Sequence, residues 1–350
     1  MTPVLPWLTA VLALVMAAGL LDQWRRRRQP FQLIWAAGMA FFGIASGCEA
    51  LATAGGWTEP LYRAWYLAGA SWTAGWLGLG TAVLLGRTRF GYAFAVSIFL
   101  AGLFTLLTQA KYDYPDAGIA PIAYFLVAIV LAVAIAAATY LQVTRWPAIA
   151  AIGVVGASLV ALVLMVTSPL EQQFDVAMAI DPSTGQPVGA LFPGTIRLLT
   201  PFLNISGAFS LAFGALFSAY TFMPKKRVLG YSLDPGQRGD DFQFNLFIAP
   251  VALTVNFLAS LPGAVRALFA GKLNSRVPAT ILIALGGFAA SAGDTLNRFG
   301  VTGPFEVAKF AAVVLLLWGF LVSIDAFADI RIPFTSIRLS RDRTEGGAGG

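Results

Sequence analysis

Thr195–Arg227 reads TIRLLTPFLNISGAFSLAFGALFSAYTFMPKKR. An arginine, Arg197, stands at its mouth, followed by Pro201 and by Asn204 in apolar surroundings. Gly207, Gly214 and Ser218 then recur as a seam of small residues, and Lys225-Lys226-Arg227 ends the run. Small residues on one helix face let a neighbouring backbone approach closely inside a bilayer. At about 1.5 Å per residue the apolar part is long enough to cross a hydrocarbon core roughly 30 Å thick. The stretch reads as one membrane span with a polar mouth, a packing face and a charged stop. Asn204-Ile-Ser206 has the form of a glycosylation acceptor, but at membrane depth it is out of reach of that chemistry.

The rest of the chain has the same character. Apolar residues make up 58% of the 350 and charged residues 11%, against about 25% charged in a soluble domain. Several apolar runs reach the roughly 20 residues a spanning helix needs, and they do not alternate as barrel strands would. The expected class is an all-α membrane protein, in contact with the lipid bilayer. The net charge of +6 comes from basic residues beside span ends, where the positive-inside bias puts them, so no nucleic-acid partner is expected. The single cysteine, Cys48, excludes an intrachain disulfide. The chain has no histidine, which removes the commonest metal ligand and general base. Neither a metal nor a cofactor is expected, and no catalytic residue is assigned.

Working outward from Thr195–Arg227, spans are expected at about Pro3–Leu21, Phe31–Thr53, Leu61–Leu85, Phe90–Gln109, Ile119–Val143 and Pro147–Thr167 before it, and at Val277–Phe299 and Phe305–Phe327 after it. Arg25–Arg28 follow the first run and none precede it. That places the N-terminus outside and the C-terminus inside a bacterial cytoplasmic membrane. Trp65, Trp72 and Trp76 form a stripe along the third span that reads as packing and anchoring. Ser168–Gly194 is the longest outer loop, long enough for a lid.

Phe244–Gly271 is the ambiguous segment. It is apolar, but Pro250 and Leu261-Pro262-Gly263 interrupt it. If it returns to the side it left, more of the 23 basic residues fall inside. A break at Pro262-Gly263 also suits a re-entrant or interfacial segment. The expected fold is therefore about nine spanning helices plus one such segment. Residues 1–227 form a seven-span bundle, 228–276 a cytoplasmic insertion, 277–329 the last two spans, and 330–350 a loose tail.

Placed by depth, Glu49, Arg63, Arg197, Asp294, Arg298, Glu306 and Lys309 fall at or just under the outer face, with Asn204 about two turns below Arg197. Ionisable groups in a membrane pair with one another or line a cavity. Both signs occur at this depth, and Asp294–Arg298 and Glu306–Lys309 have helix-neighbour spacing. Two readings follow: a clasp tying helix ends together, or a pocket for a small ligand, ion or lipid headgroup lined by these eight residues. Gly286-Gly287 reads as helix packing, since no phosphate-loop pattern surrounds it.

Three blocks resemble a group of bacterial integral membrane proteins with a seven-span core, to which no reaction is attached. They are Arg28–Leu85 with its Leu61-Tyr-Arg-Ala-Trp-Tyr-Leu-Ala-Gly-Ala70 run, Arg197–Ser218, and Leu282–Gly300 continuing into the last span. The resemblance implies that the fifth and sixth spans and Val228–Lys272 are additions, and that Lys309 stands where a glutamate is expected. The N-terminal part is also distantly similar to seven-span sensor regions of histidine kinases, with no kinase sequence in these residues. The leading expectation is non-enzymatic binding, sensing or transport of a small ligand or ion at the outer charged cluster. The alternative is a structural or assembly subunit that docks a membrane-protein partner through Ile119–Thr167. An intramembrane enzyme ranks third.

Overall fold

Proline opens four of the helices, at the first turn where a missing N–H costs nothing and the fixed φ suits a helix. These are α2 (Pro30–Gly55), α3 (Glu59–Trp65), α6 (Ala120–Tyr140) and α7 (Trp146–Thr167). The others are α1 (Val4–Arg27), α4 (Ala74–Leu84), α5 (Phe90–Tyr112), a one-turn α8 (Val176–Ala179), α9 (Gly194–Phe222), α10 (Asp241–Phe269), α11 (Arg276–Arg298) and α12 (Phe305–Val322). A π-helical segment, Tyr66–Thr73, joins α3 to α4. The computed structural model describes residues 4–183, 185–232, 241–274, 276–298, 301, 304–322, 329–331 and 338–340; within these, the side chains of 241–244, 246–247, 294–295, 298, 329–331 and 338–340 are excepted. Asp329–Arg331 and Arg338–Ser340 pair as a short antiparallel ladder.

The molecule is an all-α membrane bundle, and α9 is its axis. It packs against α4, α5 and α11 and touches α6 and α7. Over its apolar window 56% of α9 is buried inside the protein, against 28% for α6 and for α7, which leaves those two to face lipid on their outer sides. The small-residue seam explains the closeness at the centre. A Cβ built on Gly207 would lie 2.1 Å from the Ala74 carbonyl oxygen, and one on Gly78 would lie 2.5 Å from Gly207 Cα. Backbone meets backbone here, where only hydrogen fits. Gly286 and Gly287 likewise pack, against Leu316 on α12 and Leu211 on α9.

Among the described residues nine helices are long and apolar enough to cross a membrane. They are not the nine expected. The third expected span is the broken helix α3–π–α4, and α10 joins the set from Ile248 to Phe269. The break expected at Pro262-Gly263 is absent: α10 runs unbroken through Pro250 and Pro262. Both prolines lie on its exposed face, so the missing N–H groups strip hydrogen bonds only from the outer side of the helix. The opposite face is buried at Ala249, Ala252, Asn256, Ser260 and Ala264.

Helix directions follow from packing partners. Val313 and Phe320 of α12 join Ala13 and Leu20 of α1 in one cluster. Val277, at the start of α11, joins Tyr220 and Met223, at the end of α9. The chain thus leaves α9 and enters α11 at the same end of the bundle. We call this the lower end; it also carries Arg25–Arg28. The upper end carries Glu49, the α2–α3 turn and the loop 168–193.

Candidate functional site

Glu49 lies a turn and a half before the end of α2, and Glu306 and Lys309 lie within the first five residues of α12. The two helices bring the three together across 260 residues of sequence. Lys309 Nζ donates to Glu49 Oε2 in a close ion pair and to Glu306 Oε1 at 2.9 Å. It also sits 4.3 Å from the centroid of the Phe305 ring, a favourable place for a cation. Trp65 Nε1 donates to Glu49 Oε1 at 2.7 Å. Exposures of 3% for Glu49, 6% for Glu306 and 8% for Lys309 put all three inside the protein. Glu306 Oε2 is buried with no hydrogen-bond partner among the described residues.

Above this node is a cavity of about 220 Å³, lined by Glu49, Thr53, Trp57, Val176, Ile180 and Pro187 among others. It has room for several waters or one small cation. Its roof is the loop 168–193, which is packed down rather than loose. Tyr62 OH donates to the Val188 carbonyl, and the Tyr62 ring stacks on Phe192 with centroids 4.7 Å apart. Phe192 and Leu191 are fully buried. Gly189 lies against the Tyr66 ring, where a Cβ would come within 2.4 Å. The π segment begins immediately after Trp65, and Thr73 Oγ1 bonds the Ala68 carbonyl at 2.8 Å. Such segments are frequent beside functional sites.

Arg63, Arg197 and Asn204 lie elsewhere. Arg63 ties α3 to the end of α7: its Nη1 donates to the Met165 and Ser168 carbonyls at 2.6 and 3.1 Å, and its Nε pairs with Glu59 at 2.8 Å. That is helix-end capping by a side chain from another helix. Arg197 stacks over the Tyr114 ring at 4.6 Å. Beside it Asp116 accepts from Gly194 N at 2.7 Å and so caps the N-terminus of α9. Burial pushes the Glu171 carboxyl up from the usual carboxylate range, Asp116 adds to this, and Arg197 opposes it. Asn204 is half-buried on α9. The side chains of Asp294 and Arg298 lie outside the described residues.

Sequence reasoning missed Trp65 as a partner of Glu49, because a tryptophan stripe at helical spacing reads as packing. Its neighbours Trp72 and Trp76 do pack that way, against Phe41, and donate to the Ser158 carbonyl and hydroxyl of α7. It also missed Tyr114 and Asp116, which sit in a loop with no motif. The helices establish a polytopic membrane protein. Comparisons with protein-family models, with curated proteins and with solved structures return no match for the chain.

Proposed function

We propose that this chain is a non-enzymatic membrane protein that binds a small cation at its upper end, for sensing or transport, with Glu49, Glu306 and Lys309 as the site. The observation that carries the reading is a charge count. Among the described side chains, two carboxylates and one ammonium leave one negative charge uncompensated, on groups that are each more than nine-tenths buried. An unpaired buried charge costs several kcal/mol, so the node is completed by a positive occupant. The vestibule beside Glu49, with the Trp57 ring in its wall, has the size and chemistry for a compact monovalent cation, and a proton on a carboxyl is its competitor. The basic lower end faces the cytoplasm in this reading, which opens the vestibule to the outside.

The test uses the full chain in lipid nanodiscs. Thermal unfolding is followed with sodium, potassium, methylammonium and tetramethylammonium chloride at constant ionic strength. A bound cation at a hundredfold excess over its Kd stabilises by about 2.7 kcal/mol, which is a shift of a few degrees. At least one of these cations raises the Tm of the wild type, less so at low pH where protons compete, and Glu49→Gln loses the shift while folding normally. A wild type indifferent to all four, or a Glu49→Gln variant that responds equally, removes the reading and leaves the node as a clasp.

A further inference from the structure

At the lower end a second cavity, of about 600 Å³, lies where α9 leaves the bundle. Its wall carries three cations from two separate parts of the chain: Arg89 at the start of α5, and Lys225 and Arg227 just after α9. Tyr220, Tyr231 and Phe217 complete much of the lining, and no carboxylate is among the described lining residues. We propose that this cavity binds the phosphate head group of an anionic phospholipid.

Three features carry the proposal. The first is that the cations are held in place. Arg89 Nη1 donates to the Thr139 carbonyl at 3.1 Å, and Lys225 Nζ sits 5.7 Å from the Tyr220 ring centroid. The backbone carrying Lys225 and Arg227 is fastened to α10 by two wholly buried side chains. Lys226 N donates to Ser260 Oγ at 2.9 Å, and Val228 N and Leu229 N donate to Asn256 Oδ1 at 2.7 and 2.9 Å. Asn256 Nδ2 donates back to the Leu229 carbonyl at 2.8 Å. Both ends of the Asn256 amide thus bond this segment.

The second feature is depth. The cavity opens beside the last turn of α9, where apolar sequence gives way to Lys225–Arg227. That is head-group level for a spanning helix. The third is amphipathic surroundings. Phe217 and Leu229 give the cavity an apolar wall. The outer face of α10 exposes Val251, Leu258, Val265 and Phe269, as a helix lying against acyl chains does. A free phosphate uses only the cations; a phospholipid uses the cations and the apolar wall together. Basic pockets between helices at a membrane face are recognised lipid sites, and this one is independent of the upper node.

The experiment measures lipid binding to the delipidated full chain in detergent, by fluorescence competition. The competitors are phosphatidylglycerol, phosphatidylcholine and inorganic phosphate. Phosphatidylglycerol competes, while phosphatidylcholine and phosphate at equal concentration do not. Each basic residue near a membrane contributes about fivefold, so Lys225→Ala with Arg227→Ala weakens phosphatidylglycerol binding about twenty-five-fold. The pair Arg87→Ala with Arg145→Ala, exposed at the same end but outside the cavity lining, leaves it unchanged. Equal loss in both pairs means only general surface attraction, and full competition by phosphate alone means a free-anion site; either result overturns the proposal. A photoactivatable phosphatidylglycerol added to the wild type needs no variant. It labels residues 217–231, and label confined to other segments also overturns the proposal.

Discussion

Lys309 has three N–H bonds to place, and it places them on two carboxylates and the face of a phenyl ring. The carboxylates are not equivalent. Glu49 has both oxygens engaged, one by Trp65 and one by Lys309. Glu306 has one engaged and one buried without a partner among the described residues. Removing the ammonium therefore differs sharply from removing one carboxylate charge. Lys309→Met leaves two buried carboxylates with no counter-charge among the described residues, and breaking a buried pair in this way costs about 3–5 kcal/mol. Glu49→Gln keeps an acceptor for Trp65 and leaves Lys309 paired with Glu306, so its net cost is about 1 kcal/mol, the scale of one hydrogen bond. Thermal unfolding of the two variants in the same nanodiscs reads the difference. Adding Glu49→Gln and Glu306→Gln to Lys309→Met restores most of the lost Tm, because no buried charge is then left unpaired. A triple variant as unstable as the single one shows that Lys309 matters for packing along its stem rather than for charge.

At the scale of elements, the contact between α4 and α9 is set by hydrogen atoms on Gly78 and Gly207. The atoms that a Gly207 methyl group would meet belong to the Ala74 and Gly75 backbone, which cannot swing aside as a side chain can. Gly207→Ala forces the two helices apart at the bundle axis, at a cost of about 3 kcal/mol. Gly19→Ala, where nothing lies within 4 Å, leaves the melting temperature unchanged or slightly raised, since alanine is the better helix former. Thermal unfolding of both decides this. A Gly207→Ala variant as stable as wild type means that α4 and α9 slide freely. The seam was legible in the sequence because small residues spaced along an apolar run have one common use in a membrane. The spans were legible too, because hydrocarbon thickness fixes their length. The π segment was not: Tyr66–Thr73 carries no composition that distinguishes it from α-helix, and the partners of Trp65 and Tyr66, Glu49 and Thr200, come from other helices. The node was half legible. Depth counting put Glu49, Glu306 and Lys309 at one level, but their contact depends on α12 lying beside α2, which no local pattern states. Arg63 and Arg197 were at the same level and went to other partners, for the same reason.

On the scale of the whole molecule the question is how many times the chain crosses. Nine helices among the described residues have the length and apolarity to do so, and the broken helix α3–π–α4 runs through the bundle as well. Taken as ten crossings, these put the two termini on the same side. The packing argues for α10 staying at the lower face. Tyr220 and Met223 at the end of α9 meet Val277 at the start of α11 in a cluster shared with Ala264 of α10. The segment after α9 is hydrogen-bonded to Asn256 and Ser260 of the same helix. A single crossing by α10 would carry the start of α11 away from the end of α9, whereas Val277 shares a cluster with Tyr220 and Met223. On this packing α10 is expected to lie along the interface, with its exposed Val251–Val265 face toward the lipid. Cysteine labelling checks this in a Cys48→Ala background. Lys226 and Lys272 are exposed on either side of α10, and Lys111 is exposed at the upper end. In sealed inside-out vesicles, cysteines at Lys226 and Lys272 react with a membrane-impermeant maleimide and a cysteine at Lys111 does not; in right-side-out vesicles the pattern reverses. If Lys226 and Lys272 react from opposite sides, α10 crosses, and the Asn256 clamp is then a contact within the membrane rather than at its surface.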